Sequence, residues 1–283
     1  MGDLAEDTAV EQVGDGRFTA QLSRDWEIWG PMGGYVAAVA MRAAAAAGGY
    51  ARPASFFCQY HSVAAFEEVE LNVSTLRAAR TALAQRVEMT QQGKAILEAT
   101  IWSVVDELSG LEHDVTEAPE VPGPAGLPSI LDLITDEERE AGPPFPFWAN
   151  FDSRPLKFIP RSEWPPKEPL PAEWRGWERF ASTGRWDDPW VDACRSLVLV
   201  DVQSWPAASR QHVHNDHGFY APSLDLYVAF HEVPSPSEWL LTDGRGPLAA
   251  NGLMHWDGRL WSESRTLVAS GMGQLLCRRM PGR

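Results

Sequence analysis

An α+β fold made of two similar halves, each a single helix accompanied by antiparallel strands, is predicted by three features of this 283-residue chain. Residues 35–47 form an alanine-dominated run with no Gly or Pro, a strong helix signal. Segments with apolar and polar residues in alternation follow it, as in half-buried antiparallel strands. The same order, one helix and then several strands, returns after residue 150. Such weak internal similarity points to a tandem repeat in which each half wraps a sheet around its own helix.

Taken in order, residues 17–22 read as a short strand, and Trp29-Gly30-Pro31-Met32-Gly33-Gly34 as a Gly-rich turn into the first helix. Gly48-Gly49 stops that helix. Strands are expected over 55–63, 68–77, 82–91 and 95–105, with Gln92-Gly93 as the hairpin turn between the last two. The acidic, Pro/Gly-rich stretch 106–128 has no sustained period and reads as linker. A short helix is expected within 129–140, and loop again over 142–146. The resulting division is an N-terminal unit over 1–105, a linker over 106–150 and a C-terminal unit over 151–283.

In the second unit, residues 154–159 and 174–182 read as strands. Asp188 then stands as an N-cap with Pro189 at the first helical position, and Pro206 lies beyond the expected end of a helix over about 190–203. The Val-rich part, 197–202, also fits a strand, but the cap and the stop favour helix. Further strands are expected over 223–230, 239–243, 249–256, 259–264 and 267–277.

Composition narrows the function. Hydrophobic residues make up 44% and charged residues 22%, enough for a real core and against general disorder. A formal net charge of -15 disfavours a nucleic-acid partner. The longest apolar stretch contains Arg42 and is too short to span a bilayer, so no membrane span is expected. The acidic start has no apolar signal region. Cys58, Cys194 and Cys277 are far apart with no CxxC, which argues for reduced thiols in a cytoplasmic protein and against a structural zinc site. Thirteen Trp are unusual and suit either an apolar pocket or ordinary packing.

Asp201 stands out. It sits in the most apolar run of the second half, Leu197-Val198-Leu199-Val200-Asp201-Val202. An ionised carboxylate in such a setting is costly unless paired, hydrogen-bonded or protonated, so a buried Asp near a cleft is a candidate for acid/base work. The competing reading is an Asp at a helix end, capped by backbone or facing water. The first-half helix carries no acid, so chemistry is expected in the second half. GxSxG, Walker A, HExxH and GxGxxG motifs are absent. Gly30–Gly34 opens a helix and suits either an anion or close packing. His212, His214 and His217, with Asp216 between, resemble a metal tract only loosely.

Several segments together resemble the double-hotdog acyl-CoA thioesterases of the bacterial acyl-CoA thioesterase II type. They are Ile28 to Tyr35, Thr75-Leu76-Arg77, Gln92-Gly93-Lys94, Ser223-Leu224-Asp225 before Phe230-His231, and Trp239-Leu240-Leu241. The resemblance covers roughly residues 18–279. It implies a tandem hotdog fold, acyl-CoA as substrate, no cofactor or metal, a homo-oligomer, and thioester hydrolysis by a water held by an Asp, a hydroxyl residue and a Gln. Those positions fall on Asp201, Ser223 and Gln274. One extra residue separates Ala269 from Gln274 relative to the family pattern. Either a bulge restores the direction of Gln274, or Gly273 takes the place. The alternatives are a non-catalytic hotdog protein that binds an acyl thioester or a protein partner, and hydration or dehydration of an acyl thioester. The latter is disfavoured by the lack of a His on either helix.

Overall fold

The structure is a computed structural model that describes residues 1–214 and 218–280. Its helices are α1 (Leu4–Asp7), α2 (Gly33–Ala46), α3 (Ile130–Leu133), α4 (Asp136–Ala141), α5 (Pro189–Asp201) and α6 (Ser204–Ser209). The strands of the first half are β1 (Glu11–Gly14), β2 (Arg17–Gln21), β3 (Arg52–Tyr60), β4 (Glu68–Ala78), β5 (Ala82–Gln91) and β6 (Lys94–Val104). Those of the second are β7 (Phe151–Pro155), β8 (Glu173–Phe180), β9 (Phe219–Tyr220), β10 (Asp225–Phe230), β11 (Leu240–Ala250), β12 (Leu253–Ser262), β13 (Leu267–Leu276) and β14 (Arg278–Arg279).

Twelve of these strands form one antiparallel sheet in the order β1-β2-β4-β5-β6-β3-β10-β13-β12-β11-β8-β7. The order has the same plan from both ends: each half contributes six strands, and the halves join where β3 pairs with β10. At that seam Cys58 faces Leu226 and Phe56 faces Val228, all four fully buried. The two long helices lie on this inner face and pack against each other. This is the tandem hotdog arrangement that the sequence predicts.

Local chemistry explains the two helices. α2 begins two residues earlier than predicted, because Met32 serves as its N-cap and the glycines enter the first turn. Its Ala37, Ala38 and Ala40 are fully buried. Small side chains let α5 approach closely enough for the Cys194 thiol to reach the Ala38 carbonyl at 3.5 Å. In α5, Asp188 caps the helix by accepting from the Trp190 N–H at 2.8 Å, with Pro189 at the first position as expected. The helix ends at Asp201, not Gln203. Pro206 lies inside the following helix, α6, because the amide it lacks has no partner in a first turn.

Three predicted strands between 239 and 264 are corrected to two. β11 and β12 form one long hairpin that turns at Asn251-Gly252, both with positive φ (53° and 79°). Asn-Gly is the strongest short hairpin signal, and here it lies inside what reads as a single strand, 249–256. Gln92-Gly93 turns in the same way between β5 and β6 (φ 51° and 77°), as predicted. β1 carries no strand signal in the sequence, because three of its four residues are exposed and it has no apolar alternation. The expected helix within 129–140 is two short ones, α3 and α4, each closed by a capping box.

The stretch after β6 lies as a strap against the second half. Ala118, Val121 and Leu127 cover Trp177, Leu241 and Trp261 on the outer face of the second half. The Trp177 indole N–H donates to the Pro122 carbonyl at 2.9 Å, and Arg154 donates to those of Pro124 and Leu127. Most Trp residues serve packing. Trp26 stacks on Tyr35 at 5.1 Å and touches Phe147 and Phe180, so one aromatic cluster ties the first half to the end of the linker and to β8.

Arg195 of α5 is 1% exposed and pairs with the fully buried Asp192 at 2.7 Å. Its guanidinium also donates to the carbonyls of Gly184 and Ser237, and Asp192 accepts from the Ser235 N–H. The pair thus pins two loops to the helix that ends in Asp201. Removing one partner leaves a buried charge uncompensated. Arg195→Ala should therefore lower unfolding free energy by roughly 3–5 kcal/mol in urea melts.

Candidate active site

The last residue of α5 meets the first turn of α2. Asp201 is 5% exposed, and its Oδ2 accepts the Gly34 backbone N–H at 2.7 Å. The first amides of a helix lack intrahelical acceptors and carry the positive end of the peptide dipoles. The anion suited to the Gly-rich helix start is therefore supplied by the chain itself. Gly34 permits the contact: a Cβ there would lie 2.9 Å from the Leu197 carbonyl oxygen and 3.0 Å from Val198 Cα, both backbone atoms.

Ser223 lies between β9 and β10, held by a bridge to Leu275 of β13. Its hydroxyl donates to Asp201 Oδ1 over 3.5 Å, a long and weak bond. Asp201 and Ser223, the first two residues expected from sequence, are thus together. Burial pushes the Asp201 carboxyl up to about 6, because desolvation outweighs the Gly34 and Ser223 hydrogen bonds that favour the charged form.

Gln274 does not join them, and this corrects the sequence expectation. From Ala269 to Leu276, β13 keeps an unbroken register against β12; the irregularity falls earlier, at Val268. No bulge restores the direction. Gly273 therefore faces inward, opposite the fully buried Trp256. Gln274 points to the other face, opposite His255, and its backbone N–H donates to Asp225 Oδ1 at 3.0 Å. The buried Trp256 indole nitrogen lies 3.1 Å from where a Gly273 Cβ would stand, which fills the place of a longer side chain.

One neighbour is not legible in the sequence. Tyr60, at the end of β3, has a buried hydroxyl with no hydrogen-bond partner of ordinary geometry among the described residues. A Cβ on Gly33 would lie 3.3 Å from that hydroxyl and 3.0 Å from Asp201 Oδ2, so both oxygens border one point. The alternation of β3 places Tyr60 on the inner face with Cys58, but only the seam between halves brings it to Asp201. Trp29, just before α2, makes an edge contact with Tyr220, just before Ser223, at 6.0 Å. An apolar pocket of about 270 Å³ opens beside α6, with Trp205, Phe219, Leu253, Met254 and Cys277 among its lining.

Among the described residues no cluster of three or more His, Cys, Asp or Glu is arranged for a metal. Asp216 and His217 of the loose histidine tract lie outside the described residues. None of the described helices is long and apolar enough to cross a membrane.

Residues 22–104 match the family model described as the acyl-CoA thioesterase N-terminal domain, and residues 116–276 match that of the C-terminal domain. The chain belongs to the acyl-CoA thioesterase family. Solved structures agree on the fold. An acyl-CoA thioesterase II, TesB2, from Mycobacterium marinum is 21% identical with a TM-score of 0.77, over 99% of this chain and 100% of that one. A conserved hot dog protein of unknown function from Alicyclobacillus acidocaldarius is 19% identical with a TM-score of 0.79, over 97% of both chains. The tesB protein of Mycobacterium avium subs paratuberculosis is 22% identical with a TM-score of 0.73, over 97% of this chain and 98% of that one. No curated protein matches this chain in sequence.

Two outcomes test this geometry. Gly34→Ala should force α2 and α5 apart and cost about 1–3 kcal/mol, the range for overpacking a core, measured by thermal or urea unfolding. The raised Asp201 pKa makes the native state hold a proton that the unfolded chain has already lost. Stability should therefore fall as pH rises from about 4 to about 6. Asp201→Asn should lack that contribution and be more stable than wild type at pH 7, by on the order of 1–3 kcal/mol. Urea midpoints across pH 3.5–7.5 check both signs.

Proposed function

We propose that this protein hydrolyses acyl-CoA thioesters to a free acid and CoA, with Asp201 as general base. The observation that carries this reading is the buried carboxylate of Asp201, raised to about 6 and set against a helix N-terminus beside Ser223. A base needs a pKa near the working pH and access to the proton it removes. Above pH 6 Asp201 is mainly ionised and accepts a proton from water. That water's oxygen attacks the thioester carbonyl carbon, and the carbonyl π pair moves onto oxygen. The tetrahedral adduct then collapses, the C–S bond breaks, and the leaving CoA sulfur takes up the proton held by Asp201.

Ser223 orients the water through its hydroxyl. Its 3.5 Å contact with Asp201 is long, as is common before substrate binds. The apolar pocket beside α6 receives the acyl chain. Its lining includes Phe219 of β9, which lies four residues before Ser223, and Cys277, which follows β13. The family match supports acyl-CoA as the substrate class. Gln274 has no part in this scheme.

Asp201→Asn should reduce CoA release from a panel of acyl-CoAs by at least 100-fold, read with a thiol reagent, while the protein stays folded. The wild-type kcat/KM should rise with pH on an acid limb near pH 6, following ionisation of Asp201. Turnover by the Asn variant within a few fold of wild type would remove Asp201 from the mechanism. Acyl-CoA binding with no CoA release by wild type would instead favour a non-catalytic acyl-thioester binder.

A further inference from the structure

The third polar group around the reacting water is missing from β13, where the inward position is Gly273. The opposite wall of the same site carries a polar group without a partner. Tyr60 Oη is sealed from solvent and makes no hydrogen bond of ordinary geometry among the described residues. A buried hydroxyl left unpaired is destabilising, so its placement calls for an explanation. Its polar neighbour on the strand face is the Cys58 thiol, a poor acceptor. A phenylalanine at this position would fill the same space without the unmet hydroxyl.

The position is specific. The point occupied by a Cβ on Gly33 would be 3.0 Å from Asp201 Oδ2 and 3.3 Å from Tyr60 Oη. Gly33 is the first residue of α2, so its own N–H has no carbonyl four residues back within the helix. The Asp201 carboxylate and the Tyr60 hydroxyl therefore converge on the start of α2. Burial, with Cys58 and Asp201 beside it, pushes the Tyr60 hydroxyl well above its ordinary range, so it remains a donor throughout the working pH range.

We propose that Tyr60 is a catalytic residue of the thioesterase reaction, its hydroxyl donating to the thioester carbonyl oxygen as that oxygen becomes an oxyanion. The proposal rests on the hydrolytic reading above. When the water oxygen bonds to the carbonyl carbon, the displaced π pair resides on the carbonyl oxygen, and Tyr60 Oη–H donates to it. Collapse returns the pair to the carbonyl and expels the CoA sulfur, so Tyr60 keeps its proton throughout. A preorganised donor of this kind acts in the transition state more than in the ground state. The site then draws its base and Ser223 from the second half and its oxyanion donor, Tyr60, from the first.

Tyr60→Phe tests this in the full chain. Expected is a fall in kcat of roughly 100- to 1,000-fold, the range for removal of one oxyanion donor. KM should stay within about threefold, the acid limb near pH 6 should keep its position, and the melting temperature should be equal to or above that of wild type. A structural role would lower the melting temperature and leave kcat intact. If wild type hydrolyses acyl-CoA and Tyr60→Phe keeps kcat within about twofold, or changes KM alone, the role of Tyr60 is overturned and the thioesterase reading stands. Absence of CoA release by wild type across the acyl-CoA panel overturns both.

Discussion

The hydrogen bond from Gly34 to Asp201 is the constraint on which the rest of the molecule depends. It joins the start of one central helix to the end of the other, across two halves that share a single sheet. The bond requires α2 and α5 to be nearly in backbone contact, and Gly34 with the buried alanines of α2 makes that approach sterically feasible. It also partly offsets the cost of placing a carboxylate in an apolar core. The offset is incomplete, and the remainder appears as a pKa of about 6. The proposed reaction uses that residual imbalance, since a fully compensated carboxylate would be a poor base near neutrality.

Several features outside the site serve that contact. The Asp192–Arg195 pair holds the loops at Gly184 and Ser235–Ser237 against α5, which fixes the helix that carries Asp201. Asp188 and Pro189 set where α5 begins, and thirteen residues later the helix ends at the carboxylate. The seam of β3 with β10 brings Tyr60 to the site, and the bridge from Ser223 to Leu275 fixes the hydroxyl on the other side. Neither half alone has the full set: Asp201 and Ser223 come from one, and the start of α2 and Tyr60 from the other.

Much of the fold is legible in the sequence because it rests on local signals. The alanine run, the Asp-Pro start of α5 and the Gln92-Gly93 turn each carry their own stereochemistry in a few residues. The failures are equally local. Asn251-Gly252 is a hairpin signal, but the apolar residues on both sides read as one strand and conceal it. Four residues of β1 are strand only because β2 offers them an edge. In the site, Asp201 is legible because an acid in an apolar helix is unusual, and Ser223 because its neighbours match a familiar string. Gln274 is not, since its direction depends on where the irregularity of β13 falls. That irregularity lies at Val268, ahead of the segment in question, so a shift of one residue separates an inward side chain from an outward one.

The sequence by itself determined that one helix with its strands occurs twice, where α5 starts, and that one acid would be stranded among apolar neighbours. Propensity, capping and period decide these within a few residues of the chain. Tertiary structure alone decided which groups meet that acid. Gly34 is 167 residues away from it in sequence, and Tyr60 reaches it only through the pairing of β3 with β10. Helix contact distance and strand register are properties of the packed sheet, and no window of sequence contains them.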